Sequence, residues 1–137
     1  MAGILKDETT PINSSGDIVK VRQLVRECSV SLGFSLVEQT KMVTAASELA
    51  RNVLEHGGGG NVRIETLQNE IRKGIKLTFI DEGPGIANIE EALKDGFSTG
   101  SGMGLGLGGA KRLANDFEIE STPGRGTKVA ITRWRSN

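Results

Sequence analysis

Three groups of residues have types and spacings suited to chemistry. The first runs from Gly96 to Gly109, is half glycine, and leads into Ala110-Lys111-Arg112-Leu113-Ala114, which reads as helix. Ordering such a run costs conformational entropy and packs nothing, so a fold gains little from it. It does offer backbone N–H groups without Cβ interference, and a helix start adds its positive dipole end. Phosphate is the natural guest. A flexible linker is the plain alternative, but Phe97, Met103, Leu105 and Leu107 recur through the stretch. The second group is Glu48 and Asn52, whose i, i+4 spacing puts both side chains on one side of a helix. Alone, the pair reads as an ordinary solvated face. The third is Asp81-Glu82-Gly83-Pro84-Gly85, an acid followed by two bare glycines. That is a plain turn by composition, or a place to hold a flat polar ring against backbone.

Known phosphate motifs do not account for the glycines. A P-loop needs Gly-Lys followed by Ser or Thr, whereas Lys111 lies between Ala110 and Arg112. Gly104, Gly106 and Gly109 match dinucleotide-binding spacing, yet no apolar strand directly precedes them. The single histidine is His56, so there is no His-Arg-Asp loop of the eukaryotic kinase type.

The surrounding pattern predicts the elements that position these groups. Met1–Thr10 is polar and mixed, giving a frayed start or a short edge strand near Thr10–Asn13. Ser14-Ser15-Gly16-Asp17 supplies N-caps for a helix whose stripe is Ile18, Val21, Val25, Cys28 and Leu32, closed by Gly33. Cys28 on that stripe reads as a small core residue. Ser35 caps a second helix, Leu36 to about His56, with Met42, Ala46, Leu49 and Val53 as its core stripe. Ala45, Glu48, Asn52 and Glu55 form the neighbouring strip, and His56 falls where a capping or dipole role is expected. Strands follow at Asn61–Asn69 and Ile75–Ile80, then a short helix at Asn88–Lys94. A helix to about Asp116 precedes strands Phe117–Ser121 and Thr127–Trp134, with Trp134 packing at the core or the edge.

A chain of 137 residues suggests one domain, 1–137. Lys plus Arg equals Asp plus Glu at 17 each, and no basic stripe carries interleaved aromatics, so nucleic acid is not an expected partner. No apolar run approaches the roughly 20 residues of a membrane span, and no signal peptide is evident. One cysteine fits a reducing compartment, so a cytoplasmic location is expected.

Together the pieces say more than any one of them. An E-x-x-x-N helix, a D-x-G-x-G turn after a strand, a G-x-G-x-G stretch and a late G-x-G-T turn occur in that order. The chain resembles the gyrase, Hsp90, histidine-kinase and MutL (GHKL) ATP-binding superfamily over nearly its whole length. Ala46-Ser47-Glu48-Leu49-Ala50-Arg51-Asn52, Asp81-Glu82-Gly83-Pro84-Gly85-Ile86 and Asp95-Gly96-Phe97-Ser98-Thr99 look most like the stressosome switch kinases. Anti-sigma-factor kinases are the nearby relatives. The resemblance implies an α+β two-layer sandwich, with a mixed, largely antiparallel sheet covered on one face by helices and a glycine-rich ATP lid.

It also implies roles. Asp81 would accept a hydrogen bond from the exocyclic amine of adenine, where guanine presents a carbonyl. Gly83 would let the base approach, Gly85 would permit the turn, and Thr127 would add a hydroxyl. Asn52 would offer its amide oxygen to Mg²⁺. Gly102, Gly104 and Gly106 would line the triphosphate, with Phe97, Ser98, Thr99, Met103, Leu105 and Leu107 completing the ATP site. Glu48 would be the general base. The implied activity is serine/threonine phosphorylation of STAS-domain antagonist and scaffold proteins, with a PP2C-type phosphatase as the downstream target. An anti-sigma factor, sequestering a sigma subunit, is the alternative.

Overall fold

The computed structural model describes residues 3–93 and 106–136. Helix α1 (Ser15–Ser31) starts where the Ser14 hydroxyl accepts the Asp17 N–H. It ends in a Schellman turn. Gly33 N–H bonds Val30 O and Phe34 N–H bonds Ser29 O, each at 3.0 Å, with Gly33 at φ +82°. Helix α2 (Leu36–Glu55) opens with a full capping box, in which Ser35 and Glu38 exchange side chain-to-backbone bonds. The local rules for both helices therefore act as the sequence predicts.

Five strands form one sheet in the order β1-β2-β3-β5-β4, all four pairings antiparallel. They are β1 (Gly3–Ile12), β2 (Gly60–Gln68), β3 (Lys73–Asp81), β4 (Asp116–Thr122) and β5 (Gly126–Trp134). The first differs from expectation: β1 is a ten-residue edge strand, not a frayed start or a short segment near Thr10. Its apolar signal is weak because Ile4 and Leu5 stay exposed, while Thr10 and Ile12 carry its buried face. Among the described residues there are also short helices α3 (Ile89–Ala92) and α4 (Leu107–Leu113), and α4 stops earlier than the expected Asp116.

Helices cover one face of the sheet. Met42, Ala46, Leu49 and Val53 of α2 join Val21, Val25 and Cys28 of α1 over Val62, Ile64, Leu77 and Phe79. Fully burying a residue such as Leu49 or Phe79 contributes about 1.5–3 kcal/mol, so this layer fixes α2 against the sheet. Cys28 is part of that core, and burial pushes its thiol above the ordinary range. Trp134 ends the inner strand β5, packing over Gly74 and beneath the Arg72 guanidinium, 5.3 Å from the ring centroid. Leu49 and Val53, buried in this core, anchor the helix that carries the Glu48 and Asn52 strip.

Candidate active site

Glu48 and Asn52 project from α2 one turn apart. The Glu48 side chain is 39% exposed and its carboxylate lies 3.3 Å from Arg51 Nη1, an exposed pair that adds little to stability. Gly106, the residue before α4, closes against it. A methyl group there would lie 2.8 Å from Glu48 Oε2, and Gly106 sits at φ +66°. The positive φ favours glycine at this position, and a side chain there would have to push the end of Glu48 aside. Asn52 holds the end of α2, its carbonyl accepting the N–H groups of both His56 and Gly57 at 3.0 Å.

Asp81 is the last residue of β3 and is buried. Its Oδ1 accepts the Gly83 N–H at 2.9 Å, which fixes the rotation of the carboxylate. Thr127 of β5 is its direct cross-strand partner, so the two polar groups come from one rung of the sheet. Two bare positions allow the approach. A Cβ at Gly83 would stand 2.6 Å from Gly57 Cα, and any side chain at Gly57 would strike the Asp81 carboxyl group. Gly83 therefore makes room for the helix-end backbone, a contact the sequence reading did not foresee. Gly85, at φ +76°, permits the turn as expected. That turn is stitched to the last hairpin by Gly124 N–H to Pro84 O (2.8 Å) and Ile86 N–H to Ser121 Oγ (2.7 Å). Ser121 Oγ also lies 2.8 Å from Thr127 Oγ1, so it orients the threonine. No motif marks Ser121, because the turn it holds, at Ile86, lies 35 residues earlier in the chain.

One cavity collects these groups. It is bordered by Asn52, His56, Asp81 and Thr127 among the apolar side chains Leu49, Val53, Phe79, Ile86, Leu107 and Val129. Its interior of about 20 Å³ has room for a single water. A wider groove of about 840 Å³ runs along α1 past Val19, Arg22, Arg26 and Val30, remote from this chemistry. His56 is the C-cap of α2, as expected, but its side chain also faces the cavity wall. Phe97, Ser98, Thr99, Gly102, Met103, Gly104 and Leu105 lie outside the described residues. Among the described residues no group of three or more His, Cys, Asp or Glu side chains could hold a metal. The amide oxygen of Asn52 is a hard oxygen donor of the kind Mg²⁺ accepts, and a nucleotide's phosphates and water would have to supply the other ligands.

Residues 37–136 match the family of histidine kinase-, DNA gyrase B- and HSP90-like ATPases. The chain belongs to this family. It is 43% identical over 123 residues to the serine/threonine-protein kinase RsbT of Bacillus subtilis (strain 168), covering 90% of this chain and 92% of that one. It is 34% identical over 118 residues to the anti-sigma F factor of Thermoanaerobacter sp. (strain X514), covering 82% of each. The crystal structure of the RsbU and RsbW domains of Rv1364c from Mycobacterium tuberculosis shares the fold. Its TM-score is 0.63 at 20% identity, over 95% of this chain and 32% of that chain. Within the ATPase family the chain thus groups with the RsbT-type serine/threonine kinases. Among the described residues no helix is long and apolar enough to cross a membrane.

Proposed function

We propose that residues 1–137 act as one cytoplasmic kinase domain, transferring the γ-phosphoryl group of ATP to a serine or threonine of a STAS-domain antagonist or scaffold protein. One observation carries the reading: Asn52, Asp81 and Thr127 border one cavity, and Glu48 stands one helical turn from Asn52 on the same strip of α2. Asp81, its Oδ1 already bound to Gly83, accepts the adenine amine through the other carboxylate oxygen, and Thr127 adds its hydroxyl. Gly83 and Gly85 shape the turn beneath the ring. Asn52 would hold Mg²⁺, which when bound would supply charge neutralisation at the phosphates. Gly102, Gly104 and Gly106 serve the triphosphate, and Phe97, Ser98, Thr99, Met103, Leu105 and Leu107 complete the ATP site. Glu48 takes the proton of the incoming hydroxyl. That oxygen bonds the γ-phosphorus while the bond to the β–γ bridging oxygen breaks, and ADP leaves. Similarity to RsbT supports a protein hydroxyl over water as the acceptor, and a PP2C-type phosphatase is the downstream partner in this reading.

The deciding experiment incubates the chain with radiolabelled ATP, Mg²⁺ and candidate STAS domains from the same genome. Label on a STAS domain, with the chain itself unlabelled, is the expected result. Release of free phosphate with every candidate unlabelled would instead make the chain an ATPase. The similarity to an anti-sigma F factor favours a second reading, an anti-sigma factor that binds a sigma subunit and phosphorylates its STAS partner to let go. Capture of a purified sigma subunit by the immobilised chain distinguishes it.

A further inference from the structure

We infer that Arg133 is a positioning residue for phosphoryl transfer: from β5 it grips the last turn of α4 and so sets Gly106, at the first, against Glu48. This rests on the base role proposed for Glu48 above. Arg133 Nη1 donates to Leu113 O at 2.8 Å, one of the terminal carbonyls that α4 cannot satisfy within itself. Its Nε stands 3.9 Å from Glu38 Oε2, in the first turn of α2. The two side chains are only 13% and 8% exposed, so water and salt screen the pair little. One guanidinium thus ties three elements: the strand that carries it, the end of α4, and the start of the helix that bears Glu48 and Asn52.

Helix α4 needs such an anchor. Seven residues are too few to hold a helix by propensity, and two of them are Gly108 and Gly109. Its placement comes from contacts. Leu107 and Ala110 pack in the core. Beyond the helix, Asn115 N–H bonds Thr132 O at 2.9 Å, and Asn115 Oδ1 accepts the Trp134 N–H at 2.7 Å. These bonds flank Arg133, so the end of α4 is fastened to one short stretch of β5. The helix is about 10 Å long and carries that fastening to Gly106, which abuts Glu48. The guanidinium also sets a cation at the negative end of the helix dipole. Its Nε is buried with no hydrogen-bond partner. Replacing a buried ion pair by apolar groups is often neutral for stability, so positioning accounts for this arginine better than stability does.

The test uses the full chain, well below its melting temperature. Arg133→Met keeps an apolar stem and removes the charge and every donor; Arg133→Lys keeps a cation and a donor for Leu113 O. If the methionine variant does not fold, Arg133→Gln takes its place. Spectra of ¹⁵N-labelled protein without nucleotide need no substrate. Arg133→Met should move the Gly106 and Leu107 resonances as well as that of Leu113, leave Gly83 in the Asp81 turn unmoved, and be largely reversed by lysine. Transfer to a STAS partner should fall roughly five- to tenfold in Arg133→Met and recover to within about twofold in Arg133→Lys, since small misplacements of a reacting group are costly. In a Glu48→Ala background the same substitution should cost nothing more, because its effect passes through that carboxylate. An unmoved Gly106 resonance, or an equal loss of transfer in both backgrounds, overturns the inference. If Glu48→Ala itself transfers at the wild-type rate, the proposed base falls and this inference with it; if Glu48→Ala slows transfer while Arg133→Met does not, the present inference alone fails.

Discussion

Gly106 and Glu48 are in direct apposition, with the glycine's missing side chain leaving the space that Glu48 Oε2 fills, 2.8 Å from where a methyl group would stand. The end of the glycine stretch is therefore coupled to the proposed base by shape. Gly106→Ala should displace the carboxylate and strain a backbone at φ +66°, lowering stability by about 1 kcal/mol or more and reducing transfer to a STAS partner. Adding Glu48→Ala relieves the collision and leaves the backbone strain. The double variant should then melt between Gly106→Ala and wild type, and identical melting of the single and double variants would show that the two residues do not collide.

Glu48→Ala alone separates chemistry from folding. The ion pair it removes is exposed on both sides, so the melting temperature should hardly change. A general base contributes typically 10²–10⁴-fold, so transfer should fall by at least about a hundredfold while ATP still binds. Wild-type turnover with weakened nucleotide binding would remove Glu48 from the base role.

Asn52→Ala addresses the metal. Nucleotide affinity measured with and without Mg²⁺ should show a large metal dependence in wild type and a small one in the variant. An unaltered ratio would mean that the amide does not hold the ion.

For the base, Asp81 predicts a preference between nucleotides. ATP near 100 times its dissociation constant should stabilise the fold by about 2.7 kcal/mol, with GTP at the same concentration doing less. Asp81→Asn, whose amide can donate as well as accept, should narrow the gap. Equal thermal shifts for both nucleotides with wild-type protein would exclude the carboxylate from base recognition.

What the sequence discloses follows the range of each interaction. The caps of α1 and α2, the core stripes and the Glu48–Asn52 strip rest on residues three or four apart, and all are where periodicity puts them. The Asp81 turn is also local, because an acid closing an apolar strand is visible without knowing its neighbours. Legibility fails where partners are remote. The Asp81–Thr127 rung exists only once β3 lies beside β5, so the threonine's place came from family resemblance and not from spacing. Ser121 and Gly57 carry no motif, since each matters through a segment far along the chain. Strand β1 was hidden for a different reason: as an edge strand it buries few apolar side chains, and alternation has little to show. His56 was half legible, its backbone role local and its side chain's surroundings not.

Glu38 supplies the last prediction, and it concerns acid stability. This buried carboxylate accepts the Ser35 N–H at the start of α2 and, near the other end of the chain, both the N–H and the hydroxyl of Ser136. Burial works to raise its pKa, but the hydrogen bonds from Ser35 and Ser136 outweigh that and hold it below the ordinary value. A depressed folded-state pKa means that the unfolded chain takes up the proton first as pH falls. The stabilisation is therefore fully present above the unfolded value of about 4.3, and is lost as pH drops through the lower folded value. Glu38→Gln removes the titration, so the melting-temperature gap between wild type and variant should be widest near neutrality and shrink below about pH 4.3. A gap that stays constant down to pH 3 would mean that the clasp between α2 and Ser136 contributes nothing through its charge.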